Sequence, residues 1–168
     1  MALSLVHRVN IALTLRAERP EDAAFLSQLF AGSRWSEFAS LPWTEAQKRA
    51  FLQQQYDLQA AQYKTHHPNA AFSIIEWGSC AIGRFYVDRN GKDIHIIDIT
   101  LVAEYRNRGM GSELLQTLLA EAMETGCNIK LHVAHSNPAR QLYQRLGFRI
   151  TADEGVYLAM TWRAFPPA

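Results

Sequence analysis

Hydrophobic and polar positions change period several times along the chain, and each change marks an element. Val9, Ile11, Leu13 and Leu15 alternate with Asn10, Ala12, Thr14 and Arg16, the twofold period of a half-buried strand. After Pro20 the spacing lengthens. Phe25, Leu26, Leu29 and Phe30 recur at helical intervals, preceded by Glu21 and Asp22, whose charge suits the positive end of a helix dipole. Thr44-Glu45-Ala46-Gln47 forms a capping box, which predicts a second helix over residues 45–63. In that helix Gln53, Gln54, Gln55, Gln59 and Gln62 interleave with Phe51, Leu52, Tyr56, Leu58 and Tyr63.

Residues 72–77, 80–88 and 94–102 read as three strands. The joint Asp88-Arg89-Asn90-Gly91-Lys92 carries Asn-Gly, a hairpin signal because both residues tolerate positive φ, so this part is an antiparallel meander. A helix over 112–125, a strand over 129–134, a short helix over 138–146 and a final strand over about 156–162 complete the pattern. The succession predicts one α/β (α+β) domain spanning residues 1–168, with a mixed, mostly antiparallel sheet of about six or seven strands flanked by helices.

Composition narrows what such a domain does. Seventeen lysines and arginines nearly balance sixteen acids, so no basic field exists to hold nucleic acid or an anionic membrane, and any anion must be gripped locally. Cys80 and Cys127 stand alone, which predicts two free thiols and a reducing, cytoplasmic setting. The opening MALSLVHRVNIALTLR lacks a basic segment followed by a long apolar block, and no run of about 18 apolar residues occurs, so neither a signal peptide nor a membrane span is expected.

One stretch bears chemistry. Between a strand and a helix, Arg106-Asn107-Arg108-Gly109-Met110-Gly111-Ser112 presents amide donors that no intrahelical carbonyl satisfies. Gly109 and Gly111 let the backbone approach a ligand, and the helix dipole, Arg106 and Arg108 favour an anion. A pyrophosphate suits that geometry. A dinucleotide fingerprint would need glycine where Leu114 stands, and no GxxxxGK[ST] occurs.

This loop resembles the signature of the Gcn5-related N-acetyltransferases, Gln/Arg-x-x-Gly-x-Gly/Ala, matched by Arg106, Gly109 and Gly111. Downstream, the stretch from Asn137 to Phe148 (NPARQLYQRLGF) is similar to the family's N-x-x-A-x-x-L-Y-x-x-x-G-F segment, with the first alanine slightly displaced, and ALTLRAERPEDAAFL resembles its first strand and helix. The resemblance implies a sheet with a splayed parallel strand pair and acetyl-coenzyme A as the cofactor. Its pyrophosphate would lie on the amides of Arg108, Gly109, Met110, Gly111 and Ser112, and its pantetheine arm between residues 99–102 and 131–134, beside Ile99 and Leu101. Asn137 and Arg140 belong to the same cofactor side. Implied too is acetyl transfer to a primary amine of a small molecule or peptide, by direct attack in a ternary complex.

By the same resemblance Tyr143 is the general acid toward the departing thiolate. For the general base, Asp98 and His95 stand in the strand IHIIDITLV. An unpaired Asp98 in that apolar run would cost several kcal/mol, so it must be paired, solvated or lining a cleft. His95 titrates near neutrality and falls where the histone-modifying branch of the family carries its glutamate. Strict alternation places the two on opposite faces; a bulge would bring them together. Asp98 is ranked first, His95 second and Glu76 third. The oxyanion is expected to meet a backbone amide near Leu101. His132 and His135 form H-x-x-H, but without nearby cysteines or acids no metal site is expected.

The resemblance also implies an acceptor pocket walled by the first two helices and their connection, with Trp35, Phe38, Trp43, Gln54 and Tyr63 as the candidates here. Tyr157, Leu158, Met160 and Trp162 fit either a core or the seam of a homodimer. Two other readings compete: a non-catalytic acyl-coenzyme A sensor on the same fold, and a nucleic-acid-binding domain using Arg106, Arg108, Arg140 and Arg145, which the neutral charge balance disfavours.

Overall fold

The computed structural model describes residues 12–165, and Val9, Asn10 and Ile11 of the first predicted strand lie outside that range. β1 (Leu13–Ala17) leads through a 3-10 turn, Pro20–Asp22, into α1 (Ala23–Arg34). A second such turn, Trp35–Phe38, precedes α2 (Glu45–His66). There the predicted reciprocal cap forms. The Gln47 amide donates to Thr44 Oγ1 at 3.2 Å and the Thr44 amide to Gln47 Oε1 at 2.9 Å.

β2 (Ala71–Trp77), β3 (Cys80–Arg89) and β4 (Asp93–Leu101) form the expected meander. Its β3–β4 turn works differently from the pattern read in the sequence. Only Gly91 takes a positive φ, 84°, while Asn90 uses its side chain, whose Oδ1 accepts from the amides of Lys92 and Asp93 at 3.0 and 2.9 Å. α3 (Met110–Thr125), β5 (Asn128–Ala134), α4 (Ala139–Arg145), β6 (Arg149–Asp153) and β7 (Tyr157–Trp162) follow. β6 was not among the predicted strands. All five of its residues are exposed, so it lacks the alternation that a half-buried strand writes into its sequence.

One seven-stranded sheet results, ordered β1-β2-β3-β4-β5-β7-β6. Every pair is antiparallel except β4 with β5. Leu114, Leu115, Leu118 and Ala122 of α3 bury one sheet face together with Ile94, Ile96, Ile129, Leu131 and Val133, and Tyr143 of α4 joins that cluster. Leu26, Leu29 and Phe30 of α1 and Leu52 of α2 are buried on the other side. Gly83 of β3 is required by closeness, since a Cβ there would collide with the Thr100 carbonyl of β4. Both cysteines are free thiols, and no helix among the described residues is long and apolar enough to cross a membrane.

Candidate functional site

β4 and β5 pair from Asp93 with Asn128 to Ile96 with Leu131, and there the pairing stops. Beyond that point Ile97 to Leu101 and His132 to Ala134 no longer partner each other, although β5 stays paired with β7 as far as Ala134. The sheet therefore opens a cleft between two parallel strands, with free backbone donors and acceptors facing it. Ile99 and Leu101 line the β4 side of that opening, half-buried against the α3 core.

The loop at the mouth of the cleft is shaped for an anion. Asn107 and Gly109 both take left-handed backbone, φ 58° and 82°. A Cβ on Gly109 would meet nothing within 4 Å, so its dihedral, not space, calls for glycine. The first intrahelical bond of α3 runs from the Glu113 amide to the Gly109 carbonyl at 3.0 Å. No side chain caps this helix, which leaves the amides of Met110, Gly111 and Ser112 as donors for a ligand. Arg106 anchors the loop by donating Nε to the Leu101 carbonyl at 2.9 Å, and the Arg108 guanidinium lies 5.5 Å from the centre of the Tyr105 ring. On the far side of the cleft Asn137 Oδ1 accepts from the Ala139 amide at 2.9 Å, capping the start of α4. Arg140 donates Nη1 to the His135 carbonyl at 2.8 Å, while its buried Nε has no protein partner. Uncapped amides and an orphaned buried donor on the rim of one cleft fit the phosphates and amides of coenzyme A.

β4 carries the bulge on which the two base candidates depended. Tyr86 pairs with Asp98 but Val87 with Ile96, so Ile97 is the extra residue and the side-chain alternation reverses there. Ile94 and Ile96 before the bulge, and Ile99 and Leu101 after it, all pack on the α3 side. His95 and Asp98 thereby share the opposite face, against α2, where simple alternation would have separated them.

Asp98 is heavily engaged. Its Oδ2 accepts from Arg84 Nη2 at 2.8 Å and from the Tyr63 hydroxyl at 3.0 Å, and its Oδ1 from the Thr100 hydroxyl at 2.7 Å. Arg84 is 3 % exposed, donates also to Gln59 Oε1 at 2.8 Å, and faces the rings of Tyr86 and Tyr63. Burial opposes its charge, but Asp98 more than compensates and Arg84 binds its proton more tightly than usual. This pair was missing from the sequence reading. Its signal was Arg84 itself, one cation in the apolar run AIGRFYV, set across a hairpin from the acid whose partner was being sought.

His95 lies between two other imidazoles, with ring centres 5.3 Å from His67 and 5.9 Å from His132. Burial, then the charges of His67 and His132, hold it below the ordinary histidine value, so it is neutral at pH 7. The outer histidines each have a carboxylate: His67 Nδ1 is 2.8 Å from Asp88 and His132 Nε2 is 3.4 Å from Glu154. His135, of the H-x-x-H pair, instead meets Asp153 at 3.0 Å. Among the described residues no group of histidines, cysteines and acids could hold a metal ion. Glu76 is bound to Arg16 Nε at 2.7 Å, within an ion-pair network that includes Asp22.

Tyr143 comes from the α3 side of the sheet and is 5 % exposed. Burial first, and the charge of Asp98 second, push its hydroxyl above the usual phenol range. It therefore stays protonated throughout the neutral range and is a weaker acid than an exposed tyrosine. The acceptor-wall residues are not brought together. Trp43 and Phe38 stack on each other and meet Phe51 edge-on near the start of α2, and Trp35 lies under Lys48 and Arg49. Tyr63 stands 12 residues after Phe51, roughly 18 Å along the helix, beside Asp98. Gln54 is exposed between them.

Comparison with known proteins agrees with this geometry. The pig (Sus scrofa) thialysine N-epsilon-acetyltransferase is 33% identical over 96 residues, 52% of this chain and 53% of that protein. The bovine (Bos taurus) protein of the same name is 33% identical over 86 residues, so the chain spans about half the length of the curated relatives it matches. Among solved structures, the PaiA N-acetyltransferase of Thermoplasma acidophilum in complex with coenzyme A superposes with a TM-score of 0.67 at 17% identity, over 91% of this chain and 99% of that one. Arabidopsis thaliana Naa50, in complex with the bisubstrate analogue CoA-Ac-MVNAL, gives 0.56 at 17% identity, over 90% and 99%. The model of the Acetyltransferase (GNAT) family matches residues 33–148, which take in α2, the bulged β4, the α3 loop and Tyr143, and the chain belongs to that family.

Proposed function

We propose that this protein, as one N-acetyltransferase domain over residues 1–168, transfers an acetyl group from acetyl-coenzyme A to a primary amine by direct attack in a ternary complex. The observation that carries this reading is the cleft beyond Ile96 and Leu131, which has the uncapped start of α3 at its mouth and proton-handling groups on both faces. Coenzyme A supplies the acetyl group as an activated thioester. The amides of Met110, Gly111 and Ser112, with Arg106, Arg108 and Arg140 around them, would hold its phosphates. Ile99, Leu101 and the free edges of β4 and β5 would hold its arm, with Asn137 fixing the start of α4.

Tyr143 reaches the cleft from one face and His95 and Asp98 from the other. Of the two bases His95 is the better suited, which reverses the order read from the sequence. It is a neutral imidazole ready to accept a proton, whereas both oxygens of Asp98 already accept from Arg84, Tyr63 and Thr100. Asp98 serves as the counter-ion that fixes Arg84 and Tyr63. Tyr143, held protonated by burial, acts by donating a hydrogen bond to the departing sulfur and supplying its proton. The acceptor amine would enter on the α2 side, between Tyr63 and the turn that joins β6 to β7.

The test is thiol release from acetyl-coenzyme A across a panel of amino acids, peptides, polyamines and thialysine, the last because a relative's name points to it. Release that requires an acceptor, with acetylated product identified by mass, supports the transferase. Tight binding of acetyl-coenzyme A with silence across the panel would favour the sensor reading instead. The reduced thiols fit a cytoplasmic enzyme.

A further inference from the structure

Among the described residues, each carboxylate around Asp98 and His95 already has a hydrogen-bonding or cationic partner. Asp98 accepts from Arg84, Tyr63 and Thr100. Around His95, the groups contributed by each packed element are already paired: His67, after α2, with Asp88 of β3 at 2.8 Å; Lys130 of β5 with Asp93; His132 of β5 with Glu154 of the β6–β7 turn at 3.4 Å. Arg89 of β3 is occupied by Glu121. Beside these pairs lies a row of three imidazoles, His67, His95 and His132, with ring centres 5.3 and 5.9 Å apart.

We propose that the acceptor is a weakly basic primary amine, such as the α-amino group of a peptide, and not the strongly basic ammonium of a lysine side chain or polyamine. This rests on the transferase reading above. An alkyl-ammonium, costly to desolvate, would have to compete for carboxylates that other described residues already hold, whereas a neutral amine can donate to an imidazole. Each turnover bonds the amine nitrogen to the acetyl carbon and breaks the carbon–sulfur bond. Of the two protons the ammonium gives up, one passes to His95 and on to solvent, and the other ends on sulfur by way of Tyr143. His95, depressed by burial and its two histidine neighbours, takes a proton readily only from a donor that is itself not far above neutrality. At pH 7 an α-amino group is about 10 % unprotonated and a lysine side chain about 0.04 %, a ratio of roughly 300. The weaker base is also the weaker nucleophile, which leaves an expected preference of about tenfold or more.

The experiment compares two forms of one lysine-containing dipeptide, one with a free α-amine and a dimethylated side chain, the other with an acetylated α-amine and a free side chain. kcat/KM is measured from pH 6 to 10 in the full-length wild-type protein. At pH 7 the α-amine is expected to be favoured by at least about tenfold, with the gap closing as pH rises toward 10. Equal rates at pH 7, or a preference for the side-chain amine, overturn the assignment of the acceptor. Absence of thiol release with both forms overturns the transferase reading and this proposal with it. In Asp98→Asn, which removes the charge and keeps one oxygen as an acceptor, the ratio between the two dipeptides is expected to stay within about threefold of wild type; a selective loss of the side-chain amine beyond tenfold would show Asp98 holding an ammonium, and would refute the proposal.

Discussion

Asp98→Ala removes the counter-ion from a guanidinium whose side chain is 4 % exposed. Arg84 would keep Gln59 Oε1 as an acceptor and the rings of Tyr86 and Tyr63 at 5.2 and 6.0 Å, but Asp98 is its one carboxylate partner among the described residues. Breaking a buried ion pair from one side costs about 3–5 kcal/mol. In a chain of this size about 1 kcal/mol moves Tm by ~2–4 °C, so a fall of roughly 6–20 °C is expected. Arg84→Met should cost less, about 2 kcal/mol, because Asp98 retains the Tyr63 and Thr100 hydroxyls and its side chain is 12 % exposed. The double variant Arg84→Met/Asp98→Ala removes both charges and should cost about 2–3 kcal/mol, less than Asp98→Ala alone, a coupling of about 3–4 kcal/mol. Urea unfolding followed by circular dichroism reads all three, provided the m-value stays constant. A cost below about 1 kcal/mol for Asp98→Ala, or single effects that merely add in the double variant, would refute the idea that this pair ties β3 to the bulged strand β4.

Gly109→Val forces a β-branched residue into φ 82°, a strain of about 1–3 kcal/mol, and should weaken coenzyme A binding by more than about 100-fold in calorimetry. Gly111→Ala is the control: its Cβ would sit 3.8 Å from Leu142 Cδ2, an ordinary contact, and affinity should change by less than about tenfold. Tyr143→Phe should lower kcat by about 10- to 100-fold with coenzyme A affinity within about threefold of wild type; full turnover would remove Tyr143 from the role of acid. His95 sets a pH dependence whose sign is fixed by burial. Its folded pKa lies below the unfolded value near 6.5, so the unfolded chain takes up a proton first as pH falls, and the contribution present above about pH 6.5 is lost toward the folded pKa. His95→Gln should therefore flatten the loss of stability between pH 7 and 5 in urea titrations at fixed ionic strength, and an unchanged slope would contradict that account.

Much of this molecule is local information. The capping box at Thr44, the cap of α4 by Asn137, the hairpin at Asn90-Gly91 and the glycine loop before α3 each rest on residues within a few positions of one another, and so they appear in the sequence. The edge strand β6 was harder, because full exposure erases the alternation that marks a strand.

The sequence by itself therefore determined the order of the elements other than β6, the glycine loop before α3 and the family, and it singled out Tyr143, His95 and Asp98 as candidates for moving protons. Tertiary structure alone decided how those groups relate. One extra residue, Ile97, turns His95 and Asp98 to the same face, and no propensity encodes a bulge that arises from pairing with a strand ten or more residues away. Arg84 and Tyr63 reach Asp98 across separations of 14 and 35 residues and turn a candidate base into a counter-ion. The aromatic residues expected to share one pocket are separated, Phe38 and Trp43 packing on Phe51 near the start of α2 and Tyr63 standing near its end, because 12 residues of helix carry side chains roughly 18 Å apart. Short-range chemistry is written along the chain, whereas the partner that decides what a charged group can do is chosen by the fold.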